Sequence, residues 1–188
     1  MQLKICGLTR RDDVERALGT GAFALGFVVA PASPRGLDAA TVLVARGVDG
    51  AWLDRLMRRG GFDRLQLHGF DDAVIRDFGA LGHRVVPSVD LHRSSAARVL
   101  ALRRSFPLVH VNAGRGGEGR RLDPPVELLA DVDGLIFAGG IGPDDLPGLA
   151  ARGSAAVDLG SALERAPGRK CAAALGRVAD FLIEEKKS

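Results

Sequence analysis

Short apolar runs recur along the chain at near-regular spacing, and between them apolar residues return every three or four positions. The runs predict eight strands: Leu3–Cys6, Ala24–Val29, Thr41–Ala45, Arg64–Leu67, Val85–Val89, Leu108–Asn112, Gly134–Phe137 and Ala156–Leu159. The intervening pattern predicts helices. Val14, Ala17 and Leu18 share one face, as do Leu53, Leu56 and Met57. Val99, Leu100 and Leu102 precede Arg103 and Arg104, cations suited to a helix C-terminus. A last helix over about Cys171–Glu184 collects Leu175, Val178, Leu182 and Ile183 on one side. Strands alternating with helices indicate α/β architecture with a parallel sheet, and eight of them favour closure into a (β/α)8 barrel, the TIM-barrel arrangement.

At 188 residues the chain reads as a single domain spanning 1–188, shorter than the about 250 residues usual for such barrels. The shortfall falls after Arg35, where only Gly36–Ala40 precede the third run. The barrel is therefore expected to be compact and truncated around its second helix, either reduced to a turn or absent. Net charge is +3, and the arginines are scattered as pairs without a continuous basic stripe, which argues against a nucleic-acid partner. No apolar run reaches the length of a membrane span, and Met1 leads directly into the first strand without a leader pattern. A cytoplasmic protein with Cys6 and Cys171 as free thiols is the expectation. Two cysteines without a histidine cluster make a metal site unexpected.

The strand tips carry the polar chemistry, as a barrel active site requires. Cys6 closes the first strand, and the second leads to Ser33, Pro34 and Arg35, whose guanidinium can hold a carboxylate or phosphate. Gln66 and His68 alternate at the fourth tip, and Asn112 ends the sixth before a glycine-rich loop. Gly139 and Gly140 follow the seventh strand; Asp158, Gly160 and Ser161 mark the eighth. Glycine turns at these last two tips expose backbone N–H groups and suit a phosphate.

Together these residues resemble the phosphoribosylanthranilate isomerase family of tryptophan biosynthesis. The resemblance runs in order through KICGLT, GAFALGFV, SPR, LQLHG, GGEGRRLD, AGGI, VDLGSALE and PGRK. It implies an Amadori rearrangement without a cofactor or metal. N-(5-phosphoribosyl)anthranilate would become 1-(o-carboxyphenylamino)-1-deoxyribulose 5-phosphate in a monomer or homodimer. An acid protonates the ribose ring oxygen, the ring opens to a Schiff base, and a base removes the C2 proton. By resemblance Cys6 is the base and Arg35 holds the anthranilate carboxylate. Gly139, Gly140, Gly160 and Ser161 cradle the phosphate. Asp158 polarises the anthranilate nitrogen or orders the site, and Gln66 and His68 line the pocket.

The chain departs from that pattern where the family places its aspartate general acid, because Asn112 stands there. An amide does not donate a proton as an acid does, and general acid catalysis is worth about 10²–10⁴-fold. His110, two residues earlier on the same strand face, is one candidate substitute. The family's serine pair after the eighth strand reads Gly160-Ser161, and a family aspartate after the PG turn reads Cys171. Two other readings stay open: a diverged paralogue that binds a phosphorylated ligand with weak or no turnover, and an isomerase of another sugar phosphate.

Overall fold

The computed structural model describes residues 1–28, 39–114, 121–153 and 156–187. Its centre is a closed barrel of eight parallel strands: β1 (Gln2–Leu8), β2 (Ala24–Val28), β3 (Ala40–Arg46), β4 (Arg64–His68), β5 (Val85–Asp90), β6 (Val109–Asn112), β7 (Leu135–Ala138) and β8 (Ala156–Leu159). The ring closes where Lys4 of β1 lies in register with Asp158 of β8. Seven helices lie among the described residues: α1 (Arg11–Leu18), α2 (Gly50–Gly60), α3 (Asp72–Ala80), α4 (Ala96–Arg103), α5 (Val126–Leu129), α6 (Leu146–Ala151) and α7 (Ala172–Glu185). The link from β2 to β3, on which the expectation about the second helix falls, lies largely outside the described residues. The outer layer is also reduced after β6, where Pro124 and Pro125 precede a helix of four residues. A small hairpin, β9 (Glu164–Ala166) with β10 (Arg169–Lys170), follows β8 and was not anticipated from the sequence.

One parity rule organises the barrel. Successive strand side chains point to opposite faces, and here the odd-numbered residues of the strands face the helices. Leu3, Ile5, Leu25, Leu43, Leu65, Leu67, Val109, Val111, Phe137 and Val157 are buried in one core with Ala17, Leu53, Ile75, Val99, Leu128, Leu146 and Val178 of the helices. The even-numbered residues face the axis, except Leu8, which the register shift at the end of β1 turns into the helix-facing core. Their apolar members form two small clusters, Ala24 with Val42 and Val44, and Val86 with Ile136 and Ala156. Their buried polar members are Lys4, Gln66, Ser88, His110, Asn112 and Asp158. Removing odd-face side chains from water drives helix docking, whereas the axis retains polar groups that need partners there.

Local signals set the boundaries. Asp49 caps α2 by accepting a hydrogen bond from the Trp52 N–H at 2.8 Å, and Gly61 ends it with φ 66°. Asp63 ties the starts of β3 and β4 by accepting from the Thr41 N–H and hydroxyl, each at 2.7 Å. These bonds hold its carboxyl below the ordinary range. At the end of α4, Arg103 donates to the carbonyls of Asp133, Phe106 and Pro107. Gly134, with φ 66°, leaves space for that guanidinium.

Candidate active site

Cys6, Gln66, His68, Asn112 and Asp158 all occupy even positions and therefore share the barrel axis. Cys6 is partly buried, two residues along β1 from Lys4. Both face β2 at Gly26, where a Cβ would lie 2.8 Å from Cys6 Sγ and 3.1 Å from Lys4 Nζ. The absent side chain at Gly26 makes room for the thiol and the ammonium. Arg35 lies outside the described residues, as do Arg115 and Arg120.

Lys4 is the largest contributor that the sequence reading missed. Its Nζ donates to Asp158 Oδ2 at 2.6 Å, with the two side chains 1% and 5% exposed. Burying such a pair carries a desolvation penalty comparable to its Coulombic gain, so it is weak evidence of stabilisation. Burial works against the Lys4 charge, but Asp158 and the Cys6 thiolate outweigh it and raise its pKa. Burial likewise opposes the Asp158 charge, yet Lys4, with help from His110, holds that carboxyl well below its usual range. Burial pushes the Cys6 thiol up; the Lys4 ammonium opposes this and Asp158 adds to it. A lysine inside an apolar strand, two residues before a cysteine, was the available signal.

From Asp158 a line of hydrogen bonds crosses the barrel. His110 Nε2 lies 3.2 Å from Asp158 Oδ2, and His110 Nδ1 lies 2.8 Å from Ser88 Oγ. Ser88 Oγ also lies 3.0 Å from His68 Nδ1, whose Nε2 lies 2.8 Å from Gln66 Nε2. Burial lowers the pKa of His110, against the pull of Asp158. Burial also drives His68 well below the ordinary histidine value, helped by the charges of His110, Arg46 and Lys4. Ser88 too escaped the sequence reading. His110 is buried with both ring nitrogens engaged, and His68 keeps partial exposure at the end of β4.

Asn112 is buried on β6 and donates from Nδ2 to the Gly114 carbonyl at 3.1 Å, bracing its own loop. Its Oδ1 lies beside Gly139: a Cβ there would come within 2.9 Å of Asn112 Oδ1 and of Ala113 N. Gly139 and Gly140 have φ 109° and 62°, values that favour glycine. The pairing of β7 with β8 sets these glycines beside Gly160 and Ser161, the latter opening a 3₁₀ turn over Ser161–Leu163. Lys170, buried and also unanticipated, donates to the Gly160 carbonyl at 3.0 Å and to Glu164 Oε1 at 3.1 Å. It anchors the β8 loop from the hairpin. Asp13 of α1 holds the same residue by accepting from its backbone N–H at 3.1 Å.

A separate open cleft of about 610 Å³ is lined by Arg64, Arg76, His83, Arg84, Phe106 and Pro107. Apart from Arg76 on α3, these residues lie at or just before the starts of β4, β5 and β6, the opposite end of the barrel from the glycine tips. Among the described residues, no cluster of three or more His, Cys, Asp or Glu is placed to hold a metal. No described helix is long and apolar enough to cross a membrane.

A closed (β/α)8 barrel with a thiol, a buried lysine–carboxylate pair and paired glycine tips defines a barrel of enzyme type. Residues 3–180 match the family described as N-(5'phosphoribosyl)anthranilate (PRA) isomerase, and the chain belongs to that family. It is 34% identical over 209 residues to N-(5'-phosphoribosyl)anthranilate isomerase of Thiobacillus denitrificans, covering 100% of this chain and 99% of the relative. It is 30% identical over 185 residues to the tryptophan biosynthesis protein TrpCF of Yersinia pestis, matching 89% of this chain but spanning only 38% of that longer protein. The crystal structure of phosphoribosyl anthranilate isomerase from Thermus thermophilus superposes with a TM-score of 0.82 at 31% identity, covering 98% of this chain and 100% of that one.

Proposed function

We propose that this chain is a single-domain cytoplasmic enzyme of tryptophan biosynthesis, acting as a monomer or homodimer. It rearranges N-(5-phosphoribosyl)anthranilate to 1-(o-carboxyphenylamino)-1-deoxyribulose 5-phosphate. Family membership supports the reaction, and the observation that carries the mechanism is Cys6 facing the barrel axis beside the Lys4 ammonium. Cys6 is the base that removes the C2 proton once the ring has opened. The thiolate is the competent form, and Lys4 offsets part of the burial that disfavours it.

Asp158 is fixed by Lys4 and His110, and orders the site or polarises the anthranilate nitrogen. Gly139, Gly140, Gly160 and Ser161 bind the phosphate through backbone N–H groups and the exposed hydroxyl. Gln66 and His68 line the pocket; Arg35 receives the anthranilate carboxylate. Asn112 closes the wall between β6 and β7. The test is rescue of a tryptophan auxotroph that lacks the isomerase. Growth without tryptophan supports the assignment, and no growth despite soluble expression sinks it. Asn112, an amide at the position of the family's acid, favours one second reading: a paralogue that retains phosphate-ligand binding and has lost turnover. In that case a phosphorylated substrate analogue would raise the melting temperature while the auxotroph stays unrescued.

A further inference from the structure

The hairpin that follows β8 buries one ammonium against the tip of that strand. Arg165, Ala166 and Arg169 of the hairpin are exposed and Glu164 is partly buried, whereas the Lys170 side chain is 0% exposed. Lys170 Nζ donates to the Glu164 carboxylate at 3.1 Å and to the Gly160 carbonyl at 3.0 Å. A buried ion pair is weak evidence of stabilisation, because desolvation offsets its attraction. The hairpin's own stability therefore gives little reason to bury a lysine there, and its contact with Gly160 gives a better one. The lysine is held from outside the β8 loop. Asp13 of α1 accepts from its backbone N–H at 3.1 Å, and the Thr9 hydroxyl donates to the Gly168 carbonyl at the hairpin turn at 2.9 Å.

The Gly160 carbonyl also accepts from the Leu163 N–H at 3.2 Å, so two donors hold that oxygen. The peptide joining Gly160 to Ser161 is planar and trans, which sets its N–H opposite its C=O. With the oxygen turned to Lys170, the Ser161 N–H is turned away from the hairpin, and it makes no hydrogen bond among the described residues. A Cβ built at Gly160 would meet nothing within 4 Å, so packing does not fix this peptide and its hydrogen bonds do. The β7 tip is built alike. There the Leu122 N–H holds the Gly139 carbonyl at 3.0 Å, which turns the Gly140 N–H the other way. At β7 the outer donor is backbone; at β8 a buried lysine is added to one.

We propose that Lys170 is a positioning residue for the substrate's phosphate: it holds the Gly160 carbonyl outward so that the Ser161 N–H is presented to a phosphate oxygen. This rests on the reading above that the β7 and β8 tips bind the phosphate. Lys170 acts through the peptide, not by touching the ligand. Without its ammonium the Leu163 N–H is the one remaining donor on that carbonyl, and the peptide is free to rotate. Rotation would withdraw an N–H from the anion and bring a carbonyl oxygen toward it, exchanging an attractive dipole for a repulsive one.

The test is titration with inorganic phosphate followed by ¹H–¹⁵N spectra. In the unmodified protein the Ser161 and Gly140 amide signals should move together. In Lys170→Met, with the fold intact by circular dichroism, the Kd for phosphate should rise about tenfold or more, the worth of one charge-assisted hydrogen bond. The Ser161 signal should then cease to respond while Gly140 still does, whereas a general loosening of the barrel would weaken both alike. Lys170→Arg, which keeps a charged donor, should restore the Ser161 response. If Lys170→Met does not fold, Lys170→Gln carries the same test, since it removes the charge and shortens the reach to Gly160. An unchanged Kd in the folded variant overturns the proposal. So does a Gly140 signal that moves in the unmodified protein while Ser161 stays still, which leaves phosphate binding at β7 standing. If neither signal moves, the phosphate reading of both tips falls and the proposal with it.

Discussion

Replacing Lys4 with methionine tests the buried pair at the centre of the barrel. The substitution keeps the side chain's length and removes its charge, leaving Asp158 with His110 as its remaining charge-assisted partner. Breaking one side of a buried ion pair costs about 3–5 kcal/mol, because the other charge stays desolvated. Both side chains are at most 5% exposed, so solvent screening offers little relief. For a domain of this size each kcal/mol shifts the melting temperature by about 2–4 °C, which gives a loss of roughly 6–20 °C at pH 7. The loss should also depend on pH. The Asp158 carboxyl lies below its ordinary value, so in the unmodified protein its contribution is full above the ordinary carboxylate range of about 3.9 and fades as pH falls beneath it. Without Lys4 the burial is opposed less, the carboxyl titrates at higher pH, and the variant recovers as it becomes neutral. Urea melts followed by circular dichroism at pH 7 and pH 4.5 measure this. A deficit under about 1 kcal/mol, or one unchanged between the two pH values, would refute the reasoning.

Two glycines give further predictions. Gly26→Ala should lower kcat at least tenfold with KM little changed, because its methyl would sit 2.8 Å from Cys6 Sγ and displace the base; steady-state kinetics check this, and unaltered kcat counts against a catalytic Cys6 at that position. Gly139→Ala should destabilise by about 1–3 kcal/mol, since φ is 109° and the new Cβ would press on Ala113 N and Asn112 Oδ1. A thermal melt reads it, and the variant should also bind inorganic phosphate more weakly if the β7 tip holds the phosphate.

The barrel was legible because its strands are short apolar runs whose outward residues must meet helices. Val109 and Val111, Leu65 and Leu67, and Leu135 and Phe137 all lie in the helix-facing core. Boundaries moved by one or two residues, outward where hydrogen bonding outlasts apolar character, as in β1, which continues past Cys6 through Gly7 and Leu8, and inward at the starts of β6 and β7. The site was legible where residue type alone is suggestive: a thiol, a histidine, paired glycines. It was not legible where position gives an ordinary residue its role. Lys4 reads as a charged strand flank until parity turns it inward beside Cys6. Ser88 reads as a break in VVPSVD until the barrel closes His68 and His110 onto one hydroxyl. Lys170 reached Gly160 only through a hairpin whose strands are three and two residues long, too short to leave a periodic signal.

The most direct test of the central claim, that Cys6 is the base of an anthranilate-ribose isomerase, is fluorescence turnover of N-(5-phosphoribosyl)anthranilate by the unmodified chain and by Cys6→Ala. The account predicts turnover by the unmodified chain, a fall in kcat of at least about 10²-fold in the variant, and KM within a fewfold of the original. No turnover at high enzyme concentration, or a Cys6→Ala variant as active as its parent, would contradict it.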